Sequence, residues 1–143
     1  MRNIGTEDSD LGGLVMRTYL YLCAEGSENA VRELLTMVPV PGSTVRELMG
    51  IAAGSWLWRT PSQEFLGVAG RIDEVERFFD THAAALAGLQ SQSHPAVSLG
   101  LVVVSERTRE DDCPHGFHFS EKAISLLNGI RASVDIDVIW YDK

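Results

Sequence analysis

Two short stretches of the chain hold side chains whose types and spacing could do chemistry. The first is Cys113-Pro114-His115-Gly116-Phe117-His118, which brings a thiol and two imidazoles together. Those are donors that zinc takes, usually in closed tetrahedral sets of four. The stretch offers three of them, no Cys-x-x-Cys pair accompanies it, and Asp111-Asp112 adds only hard oxygen donors. It reads as a loop cysteine beside two surface histidines, so neither a metal nor another cofactor is expected. The second stretch is Asp135-Ile136-Asp137. In a strand, alternate residues share a face and stand about 7 Å apart. Paired carboxylates at such a spacing can act as general acid and base, or anchor a small ligand. They can equally be a charged edge that resists aggregation. No nucleophile or complementary base accompanies them in the sequence, and no catalytic residue is assigned.

Other reactive motifs are missing. The chain has no Gly-x-Ser-x-Gly elbow, no Walker loop, no His-Glu-x-x-His and no Gly-x-Gly-x-x-Gly, which lowers the case for the commonest enzyme classes. His82 falls on the apolar stripe of a helix and is expected to be a half-buried imidazole satisfied by a carbonyl.

Large aromatic side chains carry more information. Strand parity assigns each residue to one face of a sheet. On that basis one face is expected to hold Leu20, Leu22, Leu57, Leu99, Leu101, Val103, Val134, Ile136, Val138 and Trp140 beneath the helices. The other is expected to hold Tyr19, Tyr21, Trp56, Trp58, Ser98, Gly100, Val102, Asp135, Asp137, Ile139 and Tyr141. Tyrosine and tryptophan are enriched at interfaces because they combine contact area with a polar handle. The second face is therefore the expected binding surface, with Tyr19, Tyr21, Trp56, Trp58, Asp135, Asp137, Ile139 and Tyr141 as its residues. Ser98 and Gly100 would leave a shallow depression in it. The alternative for this face is a second core layer covered by residues 43–53 or the N-terminal arm.

The elements that must position these residues follow from period and punctuation. Arg17 to Glu25 alternates as a strand. Ser27 caps a helix with Val31, Leu34, Leu35 and Val38 on its stripe, stopped by Pro39 and Pro41. Residues 43–53 form at most a helical turn. Ser55 to Arg59 is a short strand. A long helix starts at Asp73, with Glu76 closing a capping box. Its stripe is Ile72, Val75, Phe79, His82, Leu86 and Leu89. Val97 to Ser105 is an apolar strand. From His118 the junctions are clearest: a short strand at Phe117–Phe119, the N-cap Ser120 and the dipole-matched Glu121. A helix then carries Ala123, Ile124, Leu127 and Ile130. Gly129 is placed at the left-handed position that ends it, with Ile130 folding back on Ile124. A final alternating strand begins at Ser133. The first and last thirds each resemble a β-α-β unit. The order β-α-β-α-β-β-α-β implies an α+β fold, a mostly antiparallel sheet of about five strands with two to three helices on one face. Residues 1–13 are expected to be a flexible arm and 14–143 a single α+β domain.

Composition narrows the partners. The 143 residues are 45% hydrophobic and 22% charged, with a net charge of −8, a globular profile that disfavours binding to nucleic-acid phosphates. No apolar run approaches the about 20 residues of a membrane helix. The polar, acidic start MRNIGTEDSD lacks the features of a secretion signal. The two cysteines lie far apart. A cytoplasmic protein with reduced thiols is expected, with no nucleic-acid or membrane partner.

With these elements placed, the chain resembles the bacterial domain-of-unknown-function family 4279. The resemblance rests on Gly116, Ser120-Glu121, Asp135-Ile136-Asp137 and Tyr141-Asp142, with an echo at Pro41 and Gly54-Ser55-Trp56. It implies a fold and brings no assigned reaction. The expected function is that of a non-catalytic bacterial binding protein, of immunity or regulatory type, that forms a homodimer or holds a protein partner. The alternatives are a small-molecule site on the same face, anchored by Asp135 and Asp137, and an enzyme of unknown class.

Overall fold

The computed structural model describes residues 17–50, 54–65, 74–90, 97–108 and 119–141. The expected arm over 1–13, the Cys113–His118 stretch, Phe117 and Asp73 lie outside the described residues.

Among the described residues ten elements follow one another. They are β1 (Arg17–Gly26), α1 (Glu28–Met37), β2 (Thr44–Glu47), β3 (Trp56–Arg59) and β4 (Gln63–Phe65), then α2 (Glu74–Thr81), α3 (Ala83–Gln90), β5 (Val97–Thr108), α4 (Glu121–Gly129) and β6 (Ser133–Tyr141). The six strands form one sheet in the order β2-β3-β1-β5-β6, with β4 also paired to β1. All pairs are antiparallel except β5–β6. The fold is α+β as expected, but the sheet is mixed and has a sixth strand. The β5-α4-β6 segment is a parallel β-α-β unit. The β1-α1-β2 segment is a split one, because β3 lies between its two parallel strands. The stretch expected to hold a helical turn instead supplies edge strand β2, whose Val45 pairs with Trp58. Four residues are too few for period to show.

All four helices lie on one face. Leu20, Leu22 and Ala24 of β1 and Leu99, Leu101 and Val103 of β5 meet Val31, Leu34, Val75, Phe78, Leu86, Leu89, Ala123 and Leu127 in one buried cluster. Register explains the match, since Leu20 faces Val103 and Leu22 faces Leu101 on adjacent strands. Truncating a fully buried leucine of this set to alanine costs about 2–5 kcal/mol.

Local chemistry sets the helix ends. Ser27 caps α1, its hydroxyl accepting from the Ala30 N–H at 3.3 Å. Beyond α1, Val40-Pro41-Gly42-Ser43 closes with a Ser43 N–H to Val40 carbonyl bond of 3.2 Å, and Gly42 sits at φ 82°. That is a type II turn, which needs glycine in this place. The long helix expected from Asp73 is divided at His82 into α2 and α3, although amide bonds from His82 to Phe78 and from Leu86 to His82 continue across the junction. The expected capping box of Glu76 with Asp73 falls on a residue outside the described ones. The Glu76 carboxylate accepts from the hydroxyl of Ser120, the N-cap of α4, and so ties two helices together.

The end of α4 departs from expectation. Gly129 stays helical, and the left-handed residue is Arg131 at φ 57°. The Ala132 N–H reaches the Leu127 carbonyl and the Arg131 N–H reaches that of Asn128, both at 3.0 Å. These two bonds make a Schellman closure with Arg131 at C′. Ile130 turns into the core while Ile124 is 57% exposed. No helix among the described residues is long and apolar enough to cross a membrane.

Candidate binding surface

The sheet face away from the helices is built in rows. Tyr19, Val104 and Asp137 lie side by side across β1, β5 and β6, and Tyr21, Val102 and Asp135 form the next row. Cys23, Gly100 and Ser133 form a third. Tyr19, Tyr21, Asp135, Asp137, Ile139 and Tyr141 therefore share one face, as their parity predicts.

Trp56 and Trp58 do not. Trp58 pairs with Ala24 and Trp56 with Gly26, which turns both indoles toward the helices, and Trp58 is fully buried. Leu57, expected in the core, takes the other face with Arg59. The correction has a simple cause. Alternation says which residues share a face but not which face is buried, and a one-residue change of register swaps them. Burying the Trp58 indole and part of that of Trp56 removes more apolar area from water than burying one leucine. The usable signal was Arg59, a charged residue with the parity of Leu57. The Trp58 indole N–H is buried without a hydrogen-bond partner among the described residues, a cost the surrounding core contacts outweigh.

Arginines cover the two tyrosines. The Arg17 guanidinium lies 4.6 Å from the Tyr19 ring centre and Arg59 lies 3.6 Å from that of Tyr21. Each is held in place: Arg17 pairs with Glu64 at 3.1 Å and Glu106 at 3.4 Å, while Arg59 donates to the Ser62 hydroxyl at 2.7 Å. Stacking of this kind attracts the cation to the ring face and leaves less bare aromatic surface than the residue types suggest. Burial also pushes the Tyr21 hydroxyl above its usual pKa, against the opposing pull of Arg59. The Cys23 thiol is pushed up to about 11 by burial, with Glu25 and Asp135 adding to the effect. It is overwhelmingly protonated at neutral pH and unsuited to nucleophilic catalysis.

The expected depression at Gly100 is occupied. A Cβ on Gly100 would stand 3.2 Å from the Ser133 hydroxyl oxygen, and that hydroxyl donates to the Leu99 carbonyl at 3.3 Å. The glycine lets β6 lean close to β5 rather than opening a pocket.

What sequence reasoning missed is the exposure of β6 on its helix side. Every residue from Ser133 to Tyr141 is exposed. On the helix side Val134, Ile136, Val138 and Trp140 are 38–48% open, although their parity matches the core. The strand stands at the end of the sheet, and its outer edge pairs with no described strand. Between β6 and α4 runs a groove of about 450 Å³, lined by Phe119, Ile124, Leu127, Asn128, Val134 and Ile136 among others. Asp135 and Asp137 are exposed on the opposite side, and no described cation pairs with either. Position in the sheet decides exposure, and the pattern of a single strand does not reveal position.

Among the described residues no group of three or more His, Cys, Asp or Glu could hold a metal ion. Fold and surface together define an α+β protein whose described helices lie on one side of the sheet and whose last strand is exposed at the margin of the described sheet. No family model, curated protein or solved structure matches the chain.

Proposed function

We propose that this chain is a non-catalytic binding protein that engages a protein, another copy or a different chain, through the β6 margin of its sheet. The observation that carries the reading is a nine-residue edge strand exposed along its whole length. It sets Val134, Ile136, Val138 and Trp140 on one side and Ile139 and Tyr141 on the other. Ile124 of α4 extends the apolar area. Contiguous apolar surface of that extent marks interaction sites, and an edge strand presents unpaired amides and carbonyls to a partner. Tyr19 and Tyr21, covered by arginines, belong to the flank of this surface rather than its centre. A bacterial regulatory or immunity-type role fits a small acidic protein of this architecture by analogy. The resemblance to family 4279 adds a fold expectation and no reaction.

The test is the size of the native assembly in extract of the source cell. The parent should elute larger than a 15.7 kDa monomer, and an Ile136→Lys, Trp140→Lys variant with an unchanged circular dichroism spectrum should elute as the monomer. A parent that is monomeric in extract contradicts the proposal.

A further inference from the structure

We infer that the occupant of the β6 edge is an extended segment of a different protein, alternating apolar with basic residues, added to the sheet as a seventh strand. The inference rests on the proposed function and names the partner's chemistry. A strand added beside β6 alternates its side chains between the two faces of the sheet. Those on the helix side fall against Val134 and Ile136, in the groove roofed by Ile124 and Leu127, and must be apolar. Those on the other side stand opposite or diagonal to Asp135 and Asp137, within reach of a lysine or arginine. Both carboxylates lack a described cation, so a basic strand would supply the missing charge on each.

A second copy meets this requirement poorly. Full antiparallel overlap of two β6 strands, Ser133 against Tyr141, sets Asp137 against Asp137. Slipping two residues one way sets Asp135 against the other copy's Asp137. Slipping two residues the other way sets Asp137 against Ile139 and Asp135 against Tyr141, and no counter-charge appears. Like charges directly opposite are destabilising, and a net charge of −8 on each copy adds long-range repulsion. The same charge steers a basic segment inward.

The probe is a fluorescein-labelled, end-blocked heptapeptide alternating lysine and valine, followed by anisotropy with the full chain at 150 mM salt. Controls are a scrambled peptide of the same composition and one with glutamate for lysine. The alternating basic peptide should bind at least tenfold tighter than either control. An Asp135→Lys, Asp137→Lys variant should reverse the preference, binding the glutamate peptide at least tenfold better than the lysine one. Amide shifts in labelled protein should be confined to β6, α4 and their neighbours. Equal binding of the alternating and scrambled peptides would overturn the inference, as would a preference that survives the charge swap. A parent that forms a homodimer through β6 and ignores the peptides would overturn it while leaving the proposed function standing. A monomer in native extract would sink both.

Discussion

The Thr60 hydroxyl accepts the Leu22 amide proton at 3.1 Å, while the Leu22 carbonyl accepts that of Thr60 at 3.0 Å. The pair sits where the strand partner of β1 breaks. Cys23 faces Arg59, but Leu20 faces Gln63, so Pro61 and Ser62 together oppose Tyr21. That is a bulge, and Pro61 brings no amide to it. A side-chain oxygen replaces the ladder acceptor that Leu22 would otherwise lose. The same bulge brings Ser62 within reach of Arg59, which lies over Tyr21.

Thr60→Val should therefore cost about 1–3 kcal/mol, because it keeps the shape and leaves a buried amide unsatisfied. Thr60→Ser, which retains the acceptor, should lose less. Urea denaturation of both variants checks this, and a valine variant as stable as the parent would show that the bond is dispensable.

At the end of α4 the left-handed position expected of Gly129 falls to Arg131. Gly129 is helical with open space around its missing Cβ, so Gly129→Ala should raise stability by about 0.5–1 kcal/mol. Arg131 holds the left-handed conformation that glycine tolerates best, and Arg131→Gly should add up to about 1 kcal/mol. Each gain should appear as a rise of a few degrees in melting temperature. A loss on Gly129→Ala would place the left-handed residue back at 129.

Much of the fold was legible because its signals are local. Ser27 and Ser120 cap helices as their types predict, and the alternation of Arg17–Glu25 and Ser133–Tyr141 is that of the strands they form. What escaped depends on distant residues. The Asn128-Gly129 pair looks like a helix stop, yet Ala132 reaches back to Leu127 and moves the closure two positions on. Glu76 accepts from Ser120, 44 residues away, a contact that spacing along the chain cannot announce. For the surface, three of the expected aromatic residues (Tyr19, Tyr21 and Tyr141), Ile139 and both aspartates share a sheet face. The two tryptophans were lost to the ambiguity of parity, and the openness of β6 follows from a strand order set by pairings across the whole chain.

His82 should give the fold a pH dependence. Its ring meets that of Phe78 edge-on at 4.8 Å, and partial burial lowers its pKa below the ordinary 6.5. Between the folded and unfolded values the unfolded chain binds more protons, so stability rises with pH in that window. The contribution is fully present above about 6.5, falls as pH drops below it, and levels off beneath the folded pKa. His82→Gln should flatten the fall in melting temperature between pH 7.5 and 5.5 relative to the parent. Parallel curves would show that His82 titrates alike in both states.

Site-specific photo-cross-linking in the source cell tests the central claim most directly. A photoreactive phenylalanine analogue is placed in turn at position 140 on the β6 margin, at 21 on the arginine-covered face and at 35 on the outer side of α1. A discrete protein adduct from position 140, with none from 21 or 35, is the predicted result. An adduct from position 21 or 35 with none from 140 would contradict the account and move the binding surface off β6.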